Sequence, residues 1–352
     1  MPTIEILGTG RIDDRESAFP QAVQLPGGDV LCSFNVGGGA LVTGGTEWAR
    51  SRDGGETWSL EGSVLAPTEG PRTTNALKLS LSADGNTVYA YGWRGYPEPG
   101  QTFGHVRHEP ILCKLEGDIW SEPATLPMPA DCPLEISHGV LPLASGRLLA
   151  PAATLPSQER LGEQVFVAVS DDNGRTWPRH AVVFQDPDER VGFFEQKLAE
   201  VGPDVVMATC WTVTFGDVVD QPDSFTLSHD GGLTWSPAKS TGILGQTLTP
   251  IPLGGDRLLV LYNRRYGDQG IVMALVTFSE DAWQVHYEGI MYDASSRRSR
   301  PDDIQSGVEE LDGFQFGFPT ALRLHDGTFL ATHWSHESGR CGIRWTKLRI
   351  HW

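Results

Sequence analysis

The chain has 352 residues, with 27 basic against 45 acidic side chains and a formal net charge of −18. Such an acidic surface argues against nucleic acid or an anionic membrane as a partner, since both repel it. No run approaches the roughly 20 apolar residues of a membrane span, and the start MPTIEILGTG has neither a basic nor an apolar leader region, so a cytoplasmic protein is expected.

In chain order, Thr3 to Leu7 alternates as a strand. Six copies of one unit follow, each an apolar strand, a turn with Gly or Asp and a second apolar strand: Phe19 to Phe34, Asn75 to Tyr91, Gly139 to Ala152, Glu195 to Thr209, Leu248 to Tyr262 and Phe318 to His333. Their turn glycines, Gly28, Gly85, Gly146, Gly202, Gly255 and Gly327, are 57, 61, 56, 53 and 72 residues apart. The long last interval holds Asp293 to Gly313, a polar stretch read as an inserted loop and candidate lid. A second hairpin follows each of the first few, so the repeat is a four-stranded antiparallel unit, and six of them make an all-β, six-bladed β-propeller over residues 1–352. The N-terminal strand is expected to close the ring by pairing in the last blade, with Cys341 to Ile350 at the other end. Gly 41, Pro 24 and Trp 11 suit many short strands and tight turns.

The outer hairpins carry a motif. Ser51-Arg52-Asp53-Gly54-Gly55-Glu56-Thr57-Trp58 recurs as Ser170 to Trp177 and as Ser228 to Trp235. Ser170 to Ser228 is 58 residues and Ser51 to Ser170 is 119, so a degenerate copy belongs between the first two; Ile111 to Lys114 with Gly117-Asp118-Ile119-Trp120 supplies it. In each copy a short polar side chain folds back on the turn, Gly supplies a positive φ and Trp anchors the next strand, which makes the motif a fold marker rather than a site. The pattern Ser-x-Asp-x-Gly-x-Thr-Trp resembles the Asp box of the sialidase-like β-propellers, and that resemblance implies a ligand site in the central depression. It also implies chemistry that the residues match only in part. Sialidases carry an Arg in a Phe-Arg-Ile-Pro motif where this chain has Ser17-Ala18-Phe19-Pro20; their Tyr nucleophile aligns with Phe318, and Glu47 is the nearest carboxylate to their acid. Glu195 looks like the Glu that supports that Tyr, and Arg264 or Arg265 like an Arg of the fifth blade.

The strand starts and the loops between second and third strands therefore supply the candidates. Glu195 and Glu47 are the expected catalytic pair; His138 and His333 are candidate proton carriers. Arg264, Arg265, Arg94, Gln21, Asn35, Trp211 and Tyr266 are the expected substrate-binding groups, with charge and aromatic faces suited to a sugar. Glu195 stands out because it interrupts an inner strand between Phe193-Phe194 and Leu198, where an unpaired charge is costly. The five cysteines, Cys32, Cys113, Cys132, Cys210 and Cys341, read as buried thiols, and with no CxxC or His-rich spacing neither a metal nor another cofactor is expected.

Three functions fit. The first is a glycoside hydrolase acting on a glycan other than a sialoside through paired carboxylates. The second is a lyase on uronic-acid glycans, with Arg264 or Arg265 on the carboxylate and His138, His333 or Tyr266 moving protons. The third is a noncatalytic glycan-binding propeller, since fold does not dictate function.

Overall fold

The computed structural model describes residues 1–39, 42–70, 72–97, 107–157, 159–294 and 314–352. Among them the regular elements are all β-strands, and no helix is long and apolar enough to cross a membrane. The N-terminal strand β1 (Thr3–Asp13) is set aside for the last sheet. Blade one runs from the axis outward as β2 (Ser17–Gln24), β3 (Val30–Val36), β4 (Gly45–Ser51) and β5 (Ser59–Leu65). Blade two is β6 (Thr74–Leu81), β7 (Val88–Tyr96) and β8 (Arg107–Glu116), with the short β9 (Ile119–Trp120) and β10 (Ala124–Thr125) outside it. In blade three the inner strand is split into β11 (Leu134–Glu135) and β12 (Leu141–Pro142), followed by β13 (Leu148–Thr154), β14 (Val165–Ser170) and β15 (Arg179–Phe184). Blade four is β16 (Val191–Gly202), β17 (Val205–Thr214), β18 (Asp220–Ser228) and β19 (Lys239–Ser240). Blade five is β20 (Gln246–Gly254), β21 (Arg257–Arg264), β22 (Gly270–Phe278) and β23 (Trp283–Asp293). Blade six is β24 (Phe316–Arg323), β25 (Phe329–Glu337) and β26 (Arg340–His351), and β1 pairs antiparallel with β26 as its outermost strand.

This is a six-bladed β-propeller, and the six hairpins read from the sequence are its innermost two strands in every blade. The inserted loop expected at 293–313 lies, from residue 295 on, outside the described residues.

Each strand presents one face to each neighbouring blade, so the apolar core is divided into wedges between blades rather than gathered in one mass. Tyr89, Leu112, Leu148 and Phe166 close the wedge between blades two and three; Met207, Phe225, Val260 and Tyr262 close that between four and five. At roughly 1.5–3 kcal/mol per buried large side chain, these wedges are what couples one blade to the next.

The Asp boxes act in the same direction. In the second, the Ser170 hydroxyl donates to Asp172 Oδ1 at 2.8 Å and accepts from the Gly174 amide at 2.9 Å, while Asp172 accepts from the Thr176 amide and hydroxyl at 2.9 and 2.6 Å. Those two donors hold the Asp172 carboxyl below its ordinary range. The glycine of each box sits at positive φ and against a leucine of the preceding blade: a Cβ on Gly55 would come within 2.7 Å of Leu330, and one on Gly232 within 2.6 Å of Leu149. The turn is therefore also a lock between blades. Gly232→Ala should lower the unfolding free energy by roughly 1–3 kcal/mol, from backbone strain plus the overlap. Equilibrium denaturation reads this directly, and a loss near zero would mean that Leu149 rotates away and the box secures only its own hairpin.

Candidate functional site

Four of the inner strands break register at the same place. The ladder skips between Ala18 and Gln21 in β2, Phe194 and Lys197 in β16, Gln246 and Thr249 in β20, and Gly317 and Thr320 in β24. The first residue of each bulge, Phe19, Glu195, Thr247 or Phe318, has a left-handed backbone with φ of 57°, 53°, 57° and 53°. None is a glycine, so each costs about 1–2 kcal/mol; a bulge re-aims its side chain, and here these side chains meet around the axis. They meet in pairs. Phe19 and Phe318 pack edge to face with centroids 5.4 Å apart, and the Thr247 hydroxyl donates to Glu195 Oε2.

Blades two and three complete the ring differently. β6 is unbroken and carries Lys78, whereas residues 136–140 of blade three, between β11 and β12, pair with no strand. Lys78 Nζ donates to the Ile136 carbonyl at 2.6 Å, Lys197 Nζ to the Ser137 carbonyl, and Ser80 to the Val140 carbonyl at 2.5 Å. Glu135, at the end of β11, accepts from the Ser137 hydroxyl on one oxygen and from the Glu195 amide at 3.0 Å on the other. Lys197 also stands 3.6 Å above the Phe318 ring centre.

Burial dominates the electrostatics. Lys197 is 0% exposed, Lys78 3% and Glu135 9%, while Glu195 and His138 are half-buried. Loss of water pulls both lysine pKa values down, with Glu135 and Glu195 pulling back. It pushes the Glu135 carboxyl up from 4.5, and the charge of Glu195 pushes the same way. Burial and the Lys197 charge press His138 down to about 3, so its ring is neutral and donates from Nδ1 to the Gly139 carbonyl at 2.9 Å. The Glu135 carboxyl thus lies in the field of Glu195, which favours its protonated form, and accepts from the Glu195 backbone amide.

A second network adjoins this one through Gln246, next to Thr247. Asp220 accepts from Trp211 Nε1 at 3.0 Å, from Gln246 at 3.2 Å and from the Tyr266 hydroxyl. Arg265 Nε donates to Gln246 Oε1 at 2.7 Å and Nη2 to the Phe316 carbonyl at 2.7 Å. Trp211 is fully buried and stacks on Phe194, the residue before Glu195, so its ring is part of the packing. Asp223 is wholly buried with neither carboxylate oxygen hydrogen-bonded, and burial, Asp220 and Glu195 together push it well above the ordinary range.

Of the residues singled out in the sequence, Glu195, His138, Arg265, Tyr266 and Trp211 thus belong to these two networks, and Gln21 borders them, donating to the Leu79 carbonyl at 2.9 Å. Others go elsewhere. Glu47 lies on β4, two strands out in blade one and across the ring from blade four, where Arg15 binds it at 2.8 Å; it does not pair with Glu195. His333 is wedged between blades five and six against Tyr292 of β23, with both ring nitrogens lacking a partner and its pKa pressed to about 3 by burial and Arg344. Arg264 turns outward to Glu288 of β23 at 2.9 Å, and Arg94 to Glu109 of β8 at 2.7 Å. Asn35 is buried and donates to the Asn75 carbonyl at 2.8 Å, a bond between blades one and two. The carboxylate that does stand beside Glu195 is Glu135. Lys78 is not among the sequence candidates, although a lysine between Leu77 and Leu79 of an inner strand is the same kind of signal as Glu195. Among the described residues no group of three or more His, Cys, Asp or Glu could hold a metal ion.

The BNR/Asp-box repeat family model matches residues 49–60, the first of the three boxes. Comparison of the sequence with curated proteins gives no match. By structure, the chain is similar to a protein of unknown function from Dyadobacter fermentans at 18% identity and TM-score 0.77, over 100% of both chains. It is also similar to an α-L-arabinanase of Penicillium chrysogenum complexed with arabinobiose, at 14% identity and TM-score 0.65, over 97% of this chain and 98% of that one. A sialidase of Trypanosoma rangeli in complex with sialic acid has 14% identity and TM-score 0.65, over 98% of this chain but 58% of the sialidase. The chain is a six-bladed β-propeller of sialidase-like fold carrying Asp-box repeats.

Proposed function

We propose that this propeller is a glycoside hydrolase acting on a neutral glycan, with Glu135 as the proton donor and Glu195 as its carboxylate partner. The observation that carries the reading is the convergence of these two glutamates from adjacent blades at the axis, the Glu135 carboxyl accepting from the Glu195 backbone amide at 3.0 Å and pushed up by burial and by the Glu195 charge. Glu135, kept protonated by burial, gives its proton to the glycosidic oxygen as the bond to the anomeric carbon breaks. Glu195, held by Thr247, faces the positive charge that develops on the sugar, either directly or through the water it activates.

The absence of an available cation among the described residues of these networks supports a neutral sugar. Lys78 and Lys197 are buried and turned to carbonyls, Arg265 is bound by Gln246 and Phe316, and Arg264 and Arg94 are paired outward. A sialate or uronate carboxylate entering beside Glu195 would meet like charge without a clamp, which disfavours a sialidase and also the lyase. The placement of His333 away from the axis weighs against the lyase for a second reason.

The test is a digest of neutral oligosaccharides, arabino-oligosaccharides first because a fold neighbour of matching length holds arabinobiose, alongside sialosides and uronic-acid polymers. New reducing ends from neutral glycans without unsaturated product are expected; sialic acid release or unsaturated sugar would overturn the proposal. Glu135→Gln and Glu195→Gln should each cut kcat by about 10²–10⁴-fold. Because the acid must carry its proton, activity should persist above pH 4.5 and fall as pH climbs through the raised Glu135 value, a limb missing from any residual rate of Glu135→Gln. Thr247→Gly removes the left-handed strain and the donor to Glu195 together. Its stability should stay within about 1 kcal/mol of the parent while kcat drops by on the order of tenfold. A large loss of stability with kcat intact would show that Thr247 serves the fold.

A further inference from the structure

The broken inner strand of blade three is the feature that the hydrolase reading does not explain. Four other blades bend their inner strand with a two-residue bulge and keep the ladder on both sides. Blade three leaves residues 136–140 unpaired, and Glu135 is mounted at their edge. These residues are nonetheless closely confined: a Cβ on Gly139 would lie 2.5 Å from Ser80 Oγ and 3.1 Å from Gln21 Nε2. Their carbonyls at Ile136 and Ser137 accept from Lys78 and Lys197, one ammonium from the blade on each side.

We infer that Lys78 and Lys197 are positioning residues, a two-ammonium clamp that replaces the missing strand pairing in blade three and fixes the place and charge of Glu135. Burying two ammonium groups where methionine would fill the same space is costly unless the charge is used. Here each charge is used twice, for a charge-assisted bond to a carbonyl and for the field at Glu135. Lys197 gains a third contact from the Phe318 ring. The Glu135 carboxyl is faced by Lys78 from β6, Tyr91 from β7, Glu195 and Lys197 from β16 and Cys210 from β17, with His138 in its own segment; the lysines are the cations of this set.

The inference rests on the hydrolase reading only in calling Glu135 an acid, so the decisive readouts need no substrate. In Lys197→Met, hydrogen exchange should quicken at the amides of residues 134–140 and not across the other blades. The Glu135 carboxyl, followed by ¹³C NMR and assigned with Glu135→Gln, should titrate at higher pH, because a cation that favoured its charged form is gone. On a substrate, kcat should fall by on the order of 10²-fold with KM little changed, as for a displaced acid. Lys78→Met carries the same readouts and serves if Lys197→Met does not fold. Unchanged titration of Glu135, or exchange that quickens evenly through the ring, overturns the clamp. Inactivity of the parent protein on every glycan would sink the hydrolase reading and leave the exchange and titration results to decide the clamp by themselves.

Discussion

A closed ring of sheets has one edge that no strand can cover, the inner edge around the axis, and the polar backbone groups there must find partners or remain costly. This molecule supplies those partners with side chains that cross from blade to blade. Gln21 and Ser33 of blade one donate to the Leu79 and Leu77 carbonyls of blade two, Thr209 to Leu248, Thr249 to Pro319 and Thr320 back to Pro20. The circle closes through hydroxyls and amides, except at blade three, where lysines do part of the same work. The charged cluster at the axis is therefore an extension of a device the fold needs everywhere.

That extension makes the ring lopsided. On the side of blades six and one, Phe19, Phe318 and Trp334 pack ring against ring. On the side of blades three and four stand Glu135, Glu195, Lys78 and Lys197, two carboxyl and two amino groups in a space with little water. Opposite charges in such surroundings interact far more strongly than in solvent, and the Glu135 carboxyl responds to burial and to Glu195. The two sides touch where Lys197 stands 3.6 Å from the Phe318 ring centre, so aromatic faces and charged groups meet at the axis.

The blade count was legible in the sequence because it depends on periodicity, and periodicity survives change at individual sites. Three boxes and six glycine-centred hairpins, read from residues 19 to 333, fall on the strands that form. The site was harder to read because side-chain direction near the axis is set by bulges, and a bulge leaves no composition signal when its left-handed residue is Phe, Glu or Thr rather than Gly. Glu195 was found by its charge within an apolar strand. Lys78 carries the same signal, but it follows Asn75 in a strand that reads as alternating. Glu47 looked near the site along the chain, yet one strand of a blade is about 5 Å from the next, and β4 is the third strand out. Arg264 and Arg265 are adjacent in sequence and part company at the end of β21, one to the outer sheet and one toward the axis.

The four bulges also separate what serves the ring from what the ring carries. Phe19 and Phe318 sit in an unfavourable backbone region, but their rings contact each other, and Phe318 is almost wholly buried, so packing offsets the strain. Thr247 is as deeply buried as Phe318 and is bonded to Glu195, but no ring contact accounts for the other pair. Thr247 is β-branched, the class of side chain least suited to a left-handed backbone, and Glu195 places a carboxylate beside Glu135 and near the buried Asp223. A glycine at either position would satisfy the bulge with less strain but would lose the hydrogen bond between them. Left-handed residues held at the centre of a ring whose neighbours over-determine them fit the carboxylate-aiming role proposed for Glu195.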